Sequence, residues 1–240
     1  VGCGGIAAVH GSVLTSGIDT EFVAAADIKP EKAQTYAENF HTKPYPSLES
    51  MLEAEKPDVL HICTPHYLHV PMAIYSLERN INVFMEKPPA ISFDQLEELK
   101  KAAAKSEAQL GFCYQNRYNA SIRAAKDLID SGKAGKVLGA RAFVTWCRGA
   151  AYYTESGWRG SLKTEGGGVL INQSVHTQDL LCFLLGDPTT VDATMTNHHL
   201  KNVIEVEDTL EVMLLADTRT KGEVRTVRRA VRVISKHRYL

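Results

Sequence analysis

No stretch of this chain is apolar for long enough to span a bilayer, and its first residues carry no charged segment followed by an apolar core. Neither a membrane span nor a cleaved leader is expected, and the chain reads as soluble and cytoplasmic. Charge of one sign is missing as well: 27 Lys and Arg stand against 28 Asp and Glu, so no overall field recruits nucleic acid or an anionic membrane. Only residues 219–238 are locally basic. A disulfide framework is lacking too. Cys3, Cys63, Cys113, Cys147 and Cys182 are odd in number, widely spaced and mostly set in apolar strand-like runs, which predicts reduced, buried thiols. Cys63, His66 and His69 have the residue types of a zinc site, but a structural site needs four ligands and no second cluster lies at matching spacing, so no metal is expected. What remains is an ordinary globular composition, 44% hydrophobic and 23% charged, in 240 residues that can bury one large core or two modest ones.

The run Val83-Phe84-Met85-Glu86-Lys87-Pro88 delivers a lysine to a strand end and stops against proline. In an open parallel sheet ligands bind outside the carboxyl ends of the strands, so a cationic amine fixed there faces the ligand crevice. Upstream, Gly2-Cys3-Gly4-Gly5-Ile6-Ala7 fits G-x-G-x-x-A ahead of a helix over 8–14 whose end Gly17 signals. Gly2 permits the tight turn, Gly4 lets the backbone approach a pyrophosphate, and the small Ala7 lets the helix pack close to the sheet. A buried strand over 21–26 then ends in Asp27, about 20 residues on, where a carboxylate can accept from both ribose hydroxyls of an adenosine. Ile28 follows instead of a basic or small polar residue that would accommodate a 2′-phosphate. NAD is therefore expected over NADP, a preference that Lys29 tempers.

The remaining elements alternate in the same manner. Pro30 suits the first position of a helix over 31–40, a short strand covers 43–45, and Ser47 begins the next helix. A strand over 59–63 leads into the loop Thr64-Pro65-His66-Tyr67-Leu68-His69, with Pro71 opening a helix; His61 reads as a satisfied core residue and His69 lies nearer the cofactor edge. Ser92-x-x-Gln95 is a capping box for a helix that buries Leu96 and Leu99, and 110–114 closes the series as a strand. Only Val1 is present of the strand that should precede Gly2, so the chain is expected to be a fragment.

From Asn116-Arg117 the pattern changes. A helix over 120–128 ends at Ser131-Gly132, a strand over 137–146 follows, and then come Gly157-Trp158-Arg159 and Gly166-Gly167-Gly168. Asn172, His176 and Asp179 are spaced i, i+4, i+7 and would share one stripe of a helix. Leu180, Leu181, Phe183, Leu184 and Leu185 predict that this helix is largely buried, so the three polar side chains need partners, which a ligand or Lys87 could supply.

In this order and spacing, Gly2 to Ala7 with Asp27, Thr64-Pro65-x-x-x-His69, Glu86-Lys87-Pro88, Asn116-Arg117, Trp158-Arg159 and Gly166-Gly167-Gly168 through His176 resemble the Gfo/Idh/MocA oxidoreductase family over about residues 1–209. The resemblance implies an α/β fold: an N-terminal Rossmann domain over 1–117, its first strand largely missing, and an incomplete C-terminal α/β domain over 118–240 with a mostly antiparallel open sheet. It implies NAD-dependent hydride transfer between nicotinamide and a secondary hydroxyl of a sugar, inositol or nucleotide sugar. Lys87 and His176 become the catalytic pair: His176 takes the hydroxyl proton, Lys87 stabilises the developing alkoxide, and Asp179 could orient the imidazole.

The resemblance further implies cofactor contacts at Gly2, Gly4, Gly5, Ile6, Asp27, Thr64, Pro65, His69, Glu86, Lys87, Asn116 and Trp158, and substrate contacts at Asn172, Asp179, Arg117, Tyr153 and Arg159. Tyr152, His198 and His199 are substrate candidates by location alone. It also implies a cis bond at Pro88 and self-association of the full-length protein. Many relatives carry aspartate where this chain has Asn172, an amide that orients a hydroxyl and cannot exchange its proton. Residues 221–240 are basic, poorly periodic and unlike the family, which reads as a premature or frame-shifted terminus, or as a genuine basic tail. A non-catalytic NAD- or sugar-binding regulator and an inactive remnant stand as the alternative functions.

Overall fold

The computed structural model describes residues 1–17, 19–146, 148–220 and 223–234, with backbone alone beyond residue 215. Cys147 and the tail residues 221–222 and 235–240, on which expectations had rested, lie outside the described residues. The chain forms two compact units, Val1–Cys113 and Tyr114–Leu240. No helix among the described residues is long and apolar enough to cross a membrane.

The first unit alternates helices α1 (Gly5–Ser16), α2 (Pro30–Phe40), α3 (Leu48–Glu55), α4 (His69–Leu77) and α5 (Phe93–Lys105) with strands β1 (Ala24–Ala26), β2 (Lys43–Tyr45), β3 (Val59–Ile62), β4 (Asn82–Met85) and β5 (Leu110–Phe112). All strand pairs are parallel, β1 with β2 and β3 with β4 with β5. Val1 and Gly2 stand between the two groups: the Gly2 amide donates to the Ala26 carbonyl at 2.8 Å, while Val1 donates to the His61 carbonyl at 2.6 Å and accepts from the Cys63 amide at 2.9 Å. The spatial order β2-β1-Val1-β3-β4-β5 is the doubly wound arrangement that the resemblance implies. Crossover helices cover parallel strands on both faces, so the strands bury both of their own faces. Ile62, Leu77, Met85 and Leu99 make up the driest part of that core.

Local chemistry sets the boundaries. Ser47 and Ser92 cap α3 and α5 by accepting from the amides of Ser50 and Gln95. The Gln95 side chain bonds back to the amide of Ile91, one residue earlier than a capping box requires. β1 is shorter than the expected 21–26, and ahead of it the Phe22 carbonyl accepts from the Thr42 hydroxyl, at 2.8 Å. α4 starts two residues before Pro71, which is tolerated because first-turn amides have no intrahelical acceptor.

The second unit holds α6 (Ala120–Asp130), β6 (Gly139–Val144), α7 (Ala150–Thr154), α8 (Val175–Leu185), β7 (Thr190–Thr196), β8 (Thr209–Thr220) and β9 (Glu223–Ile234). One sheet runs β6-β9-β8-β7, parallel only between β6 and β9. On one face Ala140, Ala142, Val144, Leu210 and Val212 pack with Leu181 and Leu185 of α8 and with Val169.

Four expectations need correction. α8 begins at Val175, so Asn172 sits in the preceding turn and shares no helical stripe with His176 and Asp179. Only Leu181 and Leu185 of its apolar residues are buried; Leu180, Phe183 and Leu184 are half-buried, as are the thiols of Cys3, Cys63, Cys113 and Cys182. Residues 223–234, expected as part of an aperiodic tail, form a strand paired with β8 throughout and with β6 over 228–233, since a backbone ladder tolerates arginines that break the alternation of the sequence.

Leu99 is 1% exposed while Leu96, on the same helix, is half-buried. Leu99→Ala is expected to cost about 2–5 kcal/mol by denaturant titration, and Leu96→Ala less than half of that. Equal losses would show that α5 packs through a different face.

Candidate active site

In the first unit the loops leaving the carboxyl ends of the parallel strands bring together Gly2 to Gly5, Asp27, Thr64-Pro65 and Glu86-Lys87-Pro88. Gly2 has φ +84°, and a Cβ there would lie 2.8 Å from the Cys63 carbonyl oxygen and 2.9 Å from the Thr64 methyl. Only glycine fits that approach. Gly4 is the N-cap of α1, and a Cβ on Gly4 or Gly5 would meet nothing within 4 Å, which leaves the first-turn amides open to a phosphate. Ala7 is buried, and the Tyr36 hydroxyl donates to its carbonyl at 2.6 Å, fastening α1 to α2. The Asp27 carboxylate accepts from the amides of Cys3 and Lys29, each at 2.8 Å. Two backbone donors fix its plane and leave lone pairs for ribose hydroxyls. Ile6 and Ile28 are exposed at the same edge.

His69 is fully buried, its ring nitrogens 2.9 Å from the Pro88 carbonyl and 3.0 Å from the Thr64 carbonyl; burial pushes its pKa down. Its side chain ties the two loops together and presents no face to a ligand. The Lys87–Pro88 bond is cis, as expected, and Lys87 is half-buried.

Glu86 is 7% exposed: one carboxylate oxygen lies 3.1 Å from His10 Nε2 and the other accepts from the Lys87 amide at 3.2 Å. His10 Nδ1 in turn lies 2.9 Å from His61 Nδ1. The Cys113 and Cys63 thiols and then Glu86 raise the His10 pKa to about 11, while burial and then the His10 charge push His61 down to about 4. Burial alone would raise the Glu86 carboxyl, but the His10 bond and charge override it and hold the group below its ordinary value. Among the described residues the potential metal donors that converge are His10, Glu86 and Cys113, within 4.8 Å of one another, and not the series Cys63, His66, His69.

In the second unit a short 3₁₀ turn, Gln115–Tyr118, carries Asn116 and Arg117. The Arg117 guanidinium grips Asp179 with two bonds, Nε to Oδ2 at 2.8 Å and a second from Nη2 to Oδ1. Asp179, expected to orient His176, is thus held by Arg117. His176, second residue of α8, meets the Tyr114 ring edge-on at 6.0 Å.

The Asn172 amide donates to Glu165 at 2.6 Å and approaches the Tyr152 hydroxyl at 3.4 Å. Glu165 is fully buried, also accepts from the Gly160 amide, and has its pKa raised by that burial. Glu207 accepts from the amides of Gly168 and Leu170, and a Cβ on Gly168 would fall 1.9 Å from the Glu207 carbonyl oxygen, so the last glycine of the triplet serves this contact. Asp208 accepts from the amides of His198, His199 and Leu200.

Arg159 stacks on Tyr152 at 4.2 Å and on Trp158 at 4.7 Å, while Tyr153 is buried with Leu200, Ile204 and Val206 and its phenol is held protonated by that burial. Sequence reasoning passed over His10 and the carboxylates of Glu165, Glu207 and Asp208. The signal for His10 was present, an ionisable residue three positions past Ala7 in a helix of otherwise small and apolar residues.

Two family models match. The one described as "Oxidoreductase family, NAD-binding Rossmann fold" covers residues 1–114, and the GFO/IDH/MocA C-terminal domain covers residues 122–233. The chain belongs to the Gfo/Idh/MocA family. The second match runs through β9, so the family likeness extends well past the expected limit near residue 209. D-glucoside 3-dehydrogenase of Escherichia coli (strain K12) is 29% identical over 78% of this chain and 53% of its own length. 1,5-anhydro-D-fructose reductase of Ensifer adhaerens is 30% identical over 75% of this chain and 53% of its own length. The WlbA dehydrogenase from Bordetella pertussis, solved in complex with NADH and UDP-GlcNAcA, superposes with a TM-score of 0.89 at 30% identity, covering 98% of this chain and 65% of that chain. This Gfo/Idh/MocA chain spans about half the length of the curated relatives it matches.

Two outcomes test the geometry. Gly2→Ala is expected to lose about 1–2 kcal/mol from the left-handed backbone alone, and more from the collision with Cys63, read as a lower denaturation midpoint. The histidine pair predicts opposite pH slopes on either side of the ordinary histidine value, about 6.5. Below it, unfolding takes up a proton at His61, so stability falls toward pH 4; above it, unfolding releases a proton from His10, so stability falls toward pH 11. His61→Asn should flatten the acid slope relative to the parent protein while leaving the alkaline one.

Proposed function

We propose that this chain carries the cofactor and catalytic residues of an NAD-dependent oxidoreductase acting on a secondary hydroxyl of a sugar-like substrate. The observation that carries this is the convergence, at the carboxyl ends of the parallel strands, of an open glycine-rich helix start, a carboxylate held by two amides, and a half-buried lysine. The first-turn amides of α1 hold the pyrophosphate, and Asp27 accepts from the adenosine ribose. Ile28 offers a 2′-phosphate no positive charge, which favours NAD over NADP. When bound, NAD supplies the hydride acceptor in one direction and the donor in the other.

The chain's own residues handle the proton and the charge. Lys87 donates to the reacting oxygen and stabilises the negative charge that grows on it. His176, in the second unit, is the general base for the hydroxyl proton, and its donor in the reverse direction. Asp179 acts through Arg117, fixing the helix that carries His176 against the 115–118 turn. Asn172, Arg159 and Tyr152 are the sugar contacts; Tyr152 replaces Tyr153, which is buried in an apolar cluster. The names of the relatives, which include sugar dehydrogenases and a sugar reductase, support the substrate class.

Lys87→Ala is expected to lower kcat by about 10²–10³-fold, and His176→Ala by about 10²–10⁴-fold, with NAD affinity measured by calorimetry nearly unchanged in both. Parent protein that binds NAD but transfers no hydride across a panel of aldoses, inositols and nucleotide sugars would replace this reading with a ligand-binding regulator.

A further inference from the structure

We infer that His10 is a positioning residue of the catalytic lysine: as an imidazolium held between Glu86 and His61, it fixes the carboxylate that holds the Lys87 backbone, and so couples the dinucleotide-binding helix to the lysine. The inference rests on the role proposed for Lys87. His10 lies on α1, 8% exposed, on the helix whose first turn is the open glycine-rich end. Its ring is surrounded by ionisable groups from each strand end packed against it: His61 and Cys63 of the β3 end, Glu86 after β4, and Cys113 after β5, with the Lys87 charge beside Glu86 and the Val1 amine beyond His61.

The geometry narrows the protonation states. Glu86 as a carboxylate only accepts, so His10 Nε2, 3.1 Å away, carries a proton. Between the two Nδ1 atoms, 2.9 Å apart, one nitrogen donates and the other accepts. If His61 donated, His10 would be neutral and a buried carboxylate would lack a counter-charge at its shortest contact. If His10 donates, it carries the charge beside Glu86, and His61 is neutral with its proton on Nε2. Desolvation decides for the second arrangement, because an unpaired buried carboxylate is far more costly than a neutral imidazole. The opposed pKa directions of the two histidines agree with it.

The consequence reaches Lys87 through Glu86. One carboxylate oxygen is spent on His10 and the other on the Lys87 amide, so the plane of that carboxylate sets where the strand end turns. Without the imidazolium, Glu86 loses the charge partner that fixes one of its oxygens, and the carboxylate that accepts from the Lys87 amide is free to reorient. A buried ion pair adds little net stability compared with well-packed apolar residues, so geometry is the property it supplies best.

Two measurements on the full chain test this. The first needs no activity: long-range ¹H–¹⁵N correlation of ¹⁵N-histidine-labelled protein between pH 6 and 9. Both His10 ring nitrogens should stay protonated across the range while His61 stays neutral with its proton on Nε2, and in His10→Gln the Lys87 amide should exchange faster with solvent. A neutral His10 at pH 7, or an unchanged Lys87 amide in the variant, overturns the inference whether or not the chain is a dehydrogenase. The second is kinetic. His10→Ala and His10→Gln should lower kcat by about 10–100-fold while NAD affinity holds within about twofold, and neither should lower it further in a Lys87→Ala background. Additive losses in that background, or variants that lose stability with kcat intact, would show a merely structural histidine.

Discussion

A carboxylate taken out of water must find donors, and in this chain the loops that carry the candidate site are shaped by where those donors come from. Asp27 draws in the amides of Cys3 and Lys29 and thereby closes the glycine-rich turn over β1. Glu86 draws in His10 and the Lys87 amide. In the second unit Glu165 gathers Gly160 and Asn172, Glu207 gathers Gly168 and Leu170, and Asp208 gathers three successive amides of the 198–200 loop. Loop backbone has no ladder to satisfy it, so each carboxylate answers amides that would otherwise need water.

The glycines follow from the same constraint. A carboxylate can collect backbone amides only if the backbone comes within hydrogen-bond distance, and at Gly168 the approach to Glu207 leaves no room for a side chain. Gly2 does the equivalent against Cys63 and Thr64. Gly4 and Gly5 are different in kind: nothing in the chain would collide with a Cβ there, so what favours glycine at those positions is access to the first-turn amides.

This separates what could be read from the sequence from what could not. Local rules carried far: Ser47 and Ser92 announced their helices, Gly17 and Gly132 their ends, and the period-2 apolar runs their strands. The glycine spacing, Asp27 and Glu86-Lys87-Pro88 identified the carboxyl edge because each motif is contiguous in sequence and its geometry is local. Pairings between distant segments were out of reach. Asp179 has His176 three residues away on its own helix, yet its carboxylate goes to Arg117, 62 positions earlier, and no spacing rule chooses between the two. The phase of a helix was equally hidden, since i, i+4, i+7 says which residues would align but not where the first turn begins, and Asn172 fell outside. The arginines of residues 223–234 concealed a strand whose existence depends on β8 and β6, not on its own side-chain alternation.

Charges in the two units also divide by exposure, and the division is physical. Lys87, Asp27 and Arg159 are half-buried, while Glu86, Glu165 and Asp208 are dry. A charged group that must meet a ligand keeps some access to solvent, because it exchanges water for substrate or cofactor in every cycle. A group that only holds backbone gains from dryness, since a charge–amide bond strengthens as the local dielectric falls and no exchange is asked of it. By that criterion His10, as dry as Glu86, belongs with the groups that hold. The carboxylate oxygen and the imidazole nitrogen that it meets lie on neighbouring strands and their ends. On the inference drawn for His10, that imidazolium ties α1 to the strand end bearing Lys87.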